Sequence, residues 1–302
     1  MSAAPLGVAL TAHSLRLDAL LRLVRRAEAL GYALVLIDGD AALAEAKPDR
    51  PIYDATALST AAVLATERAR IAAIHFPLLW NALLLARNLA TLQTLAAGRL
   101  VALFGVGAKR DSHRLGLPEP DGAERVDRLD ELLDSVRPLL AGEVVTKHGR
   151  FTSLERASVT PASFPVPIAV SAAGARALDV VRRHANAWDA NVPPLRERLQ
   201  PLRERLGRAL PTWCWVFARP GARFEDAARA YRHHAPWFHG LAPGDVERAI
   251  LYGEPERCRD KLARMRDELD LALPIVDLTG LDERGATEAL EALAAATRAP
   301  IS

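Results

Sequence analysis

Three short segments and a few histidines hold most of the side chains able to do chemistry in this chain. Ser171-Ala172-Ala173-Gly174-Ala175-Arg176 is a run of small residues ending in a cation. Small residues let backbone N–H groups approach an anion, and a helix starting there adds its dipole. The run is a candidate phosphate site, with Arg176 adding charge. Its composition is also that of a tight turn that only allows close packing. Gly105-Val106-Gly107-Ala108-Lys109-Arg110-Asp111 offers a bare backbone against which a flat ring can lie. Lys109 and Arg110 would then face an electron-rich ligand or a polar substrate. The segment lacks the GxGxxG spacing and the Gly-Lys-Ser/Thr ending of nucleotide loops, and a solvated surface loop would look the same. Asp38-Gly39-Asp40 places two carboxylates together for proton transfer or for holding a hydroxyl-rich ligand. Asp-Gly-Asp is equally a common turn, and without a third oxygen at EF-hand spacing calcium is not expected. His75, before Phe76-Pro77, and His13 are the candidate acid/base groups. A histidine such as His75 is more often a hydrogen-bonded structural residue. His233, His234 and His239 surround Trp237, but metal binding would need a carboxylate or a fourth ligand beside them. No metal site is expected. Neither a Gly-x-Ser-x-Gly elbow nor His-Glu-x-x-His nor Cys-x-x-Cys occurs, so hydrolase and zinc chemistry find no support.

The elements that must position these groups alternate along the chain. Apolar runs of buried-strand type lie at Gly7 to Thr11, Leu34 to Ile37, Arg70 to Phe76, Leu100 to Val106, Pro167 to Val170, Ala187 to Ala190, Thr212 to Phe217 and Pro274 to Leu278. Helical periodicity separates them, most clearly over Ala123 to Leu140, where Val126, Leu129, Leu132, Leu133, Val136 and Leu140 share a face. Pro138 is expected to kink or end that helix, and Pro201 is a weak point in the helix Leu195 to Leu206. Val144 to Phe151 reads as an inserted hairpin. Eight strand–helix units predict an α/β fold, a (β/α)₈ TIM barrel with a small insertion after the fourth strand, in a single domain over residues 1–302. A doubly wound open sheet is the runner-up. In a barrel the chemistry sits at the strand C-terminal ends. That rule selects His13, Asp38 to Asp40, His75 to Trp80, Gly105 to His113, Ser171 to Arg176, Trp188 to Asn191 and the loops after Phe217 and Leu278.

Composition narrows the function classes. The 302 residues hold 39 Lys and Arg against 37 Asp and Glu, a net charge of +2. That near-balance argues against a nucleic-acid or membrane-surface binder. Two cysteines, Cys214 and Cys258, make no disulfide framework and fit a reducing cytosol. Met1 to Leu6 has no secretory pattern, and no window holds 18 uninterrupted apolar residues, so a cytoplasmic protein without a membrane span is expected.

Six segments in order carry a family resemblance: Ala27-Glu28-Ala-Leu-Gly31-Tyr32, Thr66-Glu-Arg-Ala-Arg70-Ile71, Asn88 to Arg99 running into Gly105 to Ala108, Arg128-Leu-Asp-Glu131, Gly149-Arg-Phe151 and His184-Ala-Asn-Ala-Trp188. Through them the chain resembles the bacterial luciferase-like flavin monooxygenases, from about Leu20 to about Leu293. The resemblance implies a barrel that uses reduced FMN, or the deazaflavin F420 as an alternative, on a small organic substrate. It places the cofactor phosphate at Ser171 to Arg176 and the flavin ring beside Asp38, Phe76, Gly105 and Gly107. It also implies a cis peptide near Phe76-Pro77, a homodimer through the helices after strands two and three, and a separate flavin reductase. The family's aspartate-histidine pair after strand two is Gly39 and Asp40 here, and its glycine-tryptophan after "GvGa" is Lys109-Arg110. By their location at strand ends, His75, His13, Asp40, Lys109 and Arg110 are the expected catalytic residues. An FMNH₂-dependent monooxygenase is the first expectation. An F420-dependent hydride-transfer enzyme and a degenerate barrel acting as a binding subunit are the alternatives.

Overall fold

Short unbroken runs of Val, Leu, Ile and Ala require burial on both faces, and eight of them achieve it by pairing in parallel into a closed ring. A computed structural model describes residues 5–11, 15–38, 53–107, 113, 116–160, 163–234 and 240–294. Numbered in chain order, the ring strands are β1 (Gly7–Thr11), β2 (Leu34–Asp38), β3 (Arg70–His75), β4 (Leu100–Phe104), β7 (Ile168–Ser171), β8 (Ala187–Asp189), β9 (Thr212–Pro220) and β11 (Leu273–Asp277). Each pairs with the next, and β1 pairs with both β2 and β11, which closes the barrel. β5 (Val145–His148) and β6 (Ser153–Ala157) form an antiparallel hairpin that stands outside the ring, and β10 (Leu251–Gly253) extends the far end of β9.

Side chains alternate along every strand. Ala9, Leu36, Ala72, Leu103, Ala169 and Ile275 fill the barrel interior with others of the same phase. The opposite phase, such as Ile37, Phe104, Val170 and Trp188, joins the shell of helices. Those helices are α1 (Leu17–Ala29), α2 (Ala55–Leu64), α3 (Ala82–Leu95), α4 (Gly122–Leu140), α5 (Ala175–His184), α6 (Arg196–Leu206), α7 (Phe224–His234), α8 (Pro243–Ala249), α9 (Pro255–Glu268) and α10 (Glu283–Ala294). Asp54, Asn81 and Asp121 cap α2, α3 and α4 by accepting from backbone N–H groups in their first turns. Helix α4 runs through Pro138 to Leu140 and α6 runs through Pro201, so neither proline ends its helix. The hairpin extends to Ala157, beyond the expected Phe151, because its return strand follows the turn. The cis peptide implied at Phe76-Pro77 is not found: every described peptide bond is trans. Phe76 has φ −114° and ψ 132°, the extended conformation a proline imposes on its predecessor, and Pro77 opens a 3₁₀ turn.

Three charged side chains from the segments that carry the resemblance hold this frame. Glu28 on α1 accepts from the backbone N–H groups of Glu67, Arg68 and Ala69 at 3.1, 2.5 and 2.7 Å. Burial alone would raise its carboxyl, but these three donors hold it below the usual range. Arg99, just before β4, donates to Thr66 Oγ1 and to the carbonyls of Val63, Thr66 and Ala69 at 2.9–3.1 Å. Both networks fix the N-terminal ends of β3 and β4. Glu131 on α4 accepts from the N–H groups of Arg150, Phe151 and Thr152 at 3.1, 2.8 and 2.6 Å, which ties the hairpin turn to the helix. Gly149 leaves room for this contact, since a Cβ there would lie 2.2 Å from Glu131 Oε1 and would displace the carboxylate.

Candidate active site

The period-two alternation carries Thr11, Ser171, Asp189 and Asp277 to the inner face at the C-terminal ends of their strands, with Trp215 on the same face midway along β9. Ser171 and Asp189 stand side by side in the register of β7 and β8. Ile74 and Trp215 pack on the interior cluster yet keep some exposure, so they floor the mouth with apolar surface. Asp189 is 2% exposed, and its Oδ1 is buried with no hydrogen-bond partner. Burial pushes its carboxyl up to about 6, against the pull of Ser171, the Asn191 amide and Trp215. Asp277 is also buried, which raises its carboxyl, but its Oδ1 accepts from the Thr279 N–H at 2.8 Å. Arg219 lies 4.1 Å over the Phe217 ring and donates to the carbonyls of Ala218 and Thr279. Burial lowers this guanidinium to about 10, with Asp277 opposing.

A cap stands over this end of the barrel. Phe217, Ala227, Ala228, Tyr231, Val246, Ala249 and Ile250 form a small core of their own, drawn from β9, α7 and α8. The rings of Phe217 and Tyr231 meet edge to face at 5.4 Å. Gly280, in the loop after β11, faces the His234 ring so closely that a Cβ would lie 2.2 Å from Nε2. The cap thus reaches from β9 to the loop after the last strand.

The structure sorts the residues expected from the sequence. His75 is buried on the outer face of β3, against Phe104 at 5.6 Å and Trp80 at 5.8 Å. Burial holds its imidazole down to about 4, with Asp54 opposing, so it is neutral near pH 7 and packed away from Asp189. Gly105 and Gly107 do permit a flat ring to approach, but the ring is that of Phe76. A Cβ at Gly105 would lie 2.9 Å from Phe76 Cε1, and one at Gly107, where φ is +72°, 3.5 Å from Cδ1. Ser171 lines the mouth. The Ala172 N–H is engaged by the Asp189 carbonyl at 3.0 Å, and its carbonyl accepts from Trp188 Nε1 at 2.8 Å. Ala173 and Gly174 lead into α5, whose first turn has no side-chain cap, and a Cβ at Gly174 would meet nothing within 4 Å. Arg176 is half-exposed and paired with Asp127 at 2.5 Å. Asp38 ends β2 opposite Thr11. His13, Asp40, Lys109 and Arg110 lie outside the described residues, as do the side chain of Asp38 and the whole of His239.

Sequence reasoning selected the 188–191 segment without singling out Asp189, and it missed Asp277 and Arg219. The available signal was a carboxylate at the last position of an apolar strand, in phase with interior residues. Among the described residues one group has metal-ligand spacing, Asp130, Asp134 and His184. It lies between α4 and α5, with Asp130 also paired to Arg183 at 2.7 Å and Asp134 to Lys147 at 3.5 Å. Those cations already balance the carboxylates.

A family model described as luciferase-like monooxygenase matches residues 2–212. The chain belongs to that family. It is 38% identical over 99 residues to an F420-dependent glucose-6-phosphate dehydrogenase of Beutenbergia cavernae, covering 32% of this chain and 30% of that protein. It is 31% identical over 136 residues to the protein of the same name from Nakamurella multipartita, covering 40% of each. The matched stretch thus spans well under half of these curated relatives. In the solved structure of an F420-dependent secondary alcohol dehydrogenase with an F420–acetone adduct the same fold recurs, with TM-score 0.80, 17% identity, and 97% and 99% of the two chains covered. A monooxygenase from Streptomyces bottropensis is similar at TM-score 0.76 and 19% identity, covering 96% of this chain and 97% of its own. Among the described residues no helix is long and apolar enough to cross a membrane.

Proposed function

We propose that the chain is an F420-dependent oxidoreductase that exchanges a hydride with a small alcohol or carbonyl compound. The observation that carries this reading is the unpaired, buried Oδ1 of Asp189 beside Ser171, in a mouth floored by Ile74 and Trp215. Hydride exchange at an alcohol carbon needs a partner for the hydroxyl proton, and a buried carboxyl that titrates near neutrality can be one. The F420-dependent relatives support this cofactor, and the FMNH₂ monooxygenase expected first from the sequence is the alternative, supported by the similarity to a monooxygenase.

The residues present fit the anionic end of such a cofactor. Gly174 leaves open space, and the uncapped first turn of α5 offers N–H groups and the positive end of its dipole. When bound, the deazaflavin supplies or takes the hydride. The first turn of α5 holds its phosphate, Phe76 over Gly105 shapes the wall, and Ile74 and Trp215 keep water from the reacting carbon. The homodimer remains part of the proposal, since Leu64, Leu79, Leu84 and Leu95 are exposed on and beside α2 and α3.

Anaerobic titration with oxidised and reduced F420, and in parallel with FMNH₂, tests the reading. Preferential F420 binding by at least tenfold is the expected result. Preferential FMNH₂ binding would restore the monooxygenase, and binding of neither would leave a barrel that serves as a binding subunit.

A further inference from the structure

We propose that Asp189 is the acid/base residue of this site, exchanging a proton with the oxygen of a small alcohol or ketone at the carbon that exchanges the hydride. This rests on the F420-dependent reading and adds the proton-exchanging atom, Asp189 Oδ1, and the pH dependence of each direction.

Four observations converge on Asp189. It closes β8 on the inner face of the barrel, next to Ser171 and among the residues that floor the mouth. Its Oδ1 is buried and has no donor, although buried carboxylate oxygens are nearly always paired. A ligand hydroxyl is the kind of donor that would complete it. Other groups of the described mouth are committed elsewhere. Asp277 accepts from the Thr279 N–H, and Arg219 donates to two carbonyls. His75 faces the helices. Finally, burial leaves the Asp189 carboxyl near 6, so both protonation states are accessible in the neutral range. The groups that act on it are the Ser171 hydroxyl, the Asn191 amide and Trp215. Its titratable neighbour is the Cys214 thiol, which burial and Asp189 itself keep protonated.

The step balances. In oxidation the O–H bond breaks and its proton goes to Asp189 Oδ1. The carbinol C–H bond breaks with its electron pair, the hydride passes to oxidised F420, and the C=O bond forms. Carbonyl reduction runs the same events backwards. Oxidation therefore needs ionised Asp189 and rises with pH through about 6, whereas reduction needs the protonated acid and falls there.

The test compares wild type with Asp189→Asn, using F420 and a panel of short secondary alcohols and their ketones. F420 affinity should change less than twofold and KM less than threefold, while kcat falls at least 100-fold and the limb near pH 6 disappears. An Asp189→Ala variant should regain part of its rate with added formate. Carbon-13 titration of labelled aspartate should show in the wild type a carboxyl with a midpoint near 6 that is missing from Asp189→Asn, a readout independent of turnover. Unchanged kcat and pH limb in Asp189→Asn overturn the assignment, as does a wild type whose aspartates all titrate in the ordinary range. F420 binding without turnover of any alcohol or ketone also overturns it. Failure of wild type to bind F420 instead refutes the reading of the function on which it rests.

Discussion

Replacing Glu28 with alanine tests whether the frame is held as described. The carboxylate serves three backbone donors, those of Glu67, Arg68 and Ala69. Hydrogen bonds to a charged group are each worth about 1.5–3 kcal/mol, but they do not all vanish at full value. Glu67 and Arg68 are exposed, so water replaces the carboxylate at their amides. Ala69 is 3% exposed, and its N–H is left buried and unpaired, at about 1–3 kcal/mol. Together with the residual loss at the two exposed amides, the expected destabilisation is about 2–4 kcal/mol, or roughly 4–8 °C in Tm for a chain of this size. Urea unfolding followed by circular dichroism measures it, with the m-value unchanged. The pH dependence supplies a second check. Because the folded carboxyl lies below its unfolded value, its stabilisation is present above the unfolded pKa of about 4.3 and is lost as pH falls through the folded one. The gap between wild type and variant should therefore close in acid. A difference below about 0.5 kcal/mol, or a gap that stays constant from about pH 7 to about pH 3, would refute the argument.

Three further expectations follow from the same contacts. Gly149→Ala must push Glu131 off the hairpin turn, and a loss of about 2–3 kcal/mol in the same urea assay is expected. Arg176→Ala should change stability by less than about 1 kcal/mol, since the pair with Asp127 is half-exposed, while F420 affinity falls severalfold in a fluorescence titration. His75 has a folded pKa of about 4, depressed below the unfolded value of about 6.5, so the protein loses up to about 3 kcal/mol as pH falls across that window. A His75→Leu variant should show a flatter stability profile between those limits, and an unchanged acid slope would contradict the burial of this imidazole.

Eight unbroken apolar runs were enough to predict the ring, because a strand buried on both faces leaves a pattern that no neighbour has to supply. Helix α8 and strand β10 escaped notice, since seven and three residues are too short for a period to show. The hairpin's return strand was missed beyond Phe151 because Ser153–Ala157 alternates polar and apolar weakly. The site was less legible for a different reason. Whether Asp189 is paired depends on Ser171 and Trp215, brought beside it by ring closure, and no local pattern encodes that. Gly105 and Gly107 were recognised as a place of close approach, yet the ring that approaches them comes from Phe76, just past the end of the neighbouring strand. The segments that carried the resemblance, those of Glu28, Arg99 and Glu131, anchor backbone amides and carbonyls far from any chemistry. They identify the scaffold more strongly than they identify the reaction.

The cap built from β9, α7 and α8 owns a miniature core, separate from the barrel interior and from the helical shell. A unit that satisfies its own apolar residues can change length, sequence or tilt while the eight-stranded ring keeps its register. Such independence separates the selection of what enters the mouth from the upkeep of the fold.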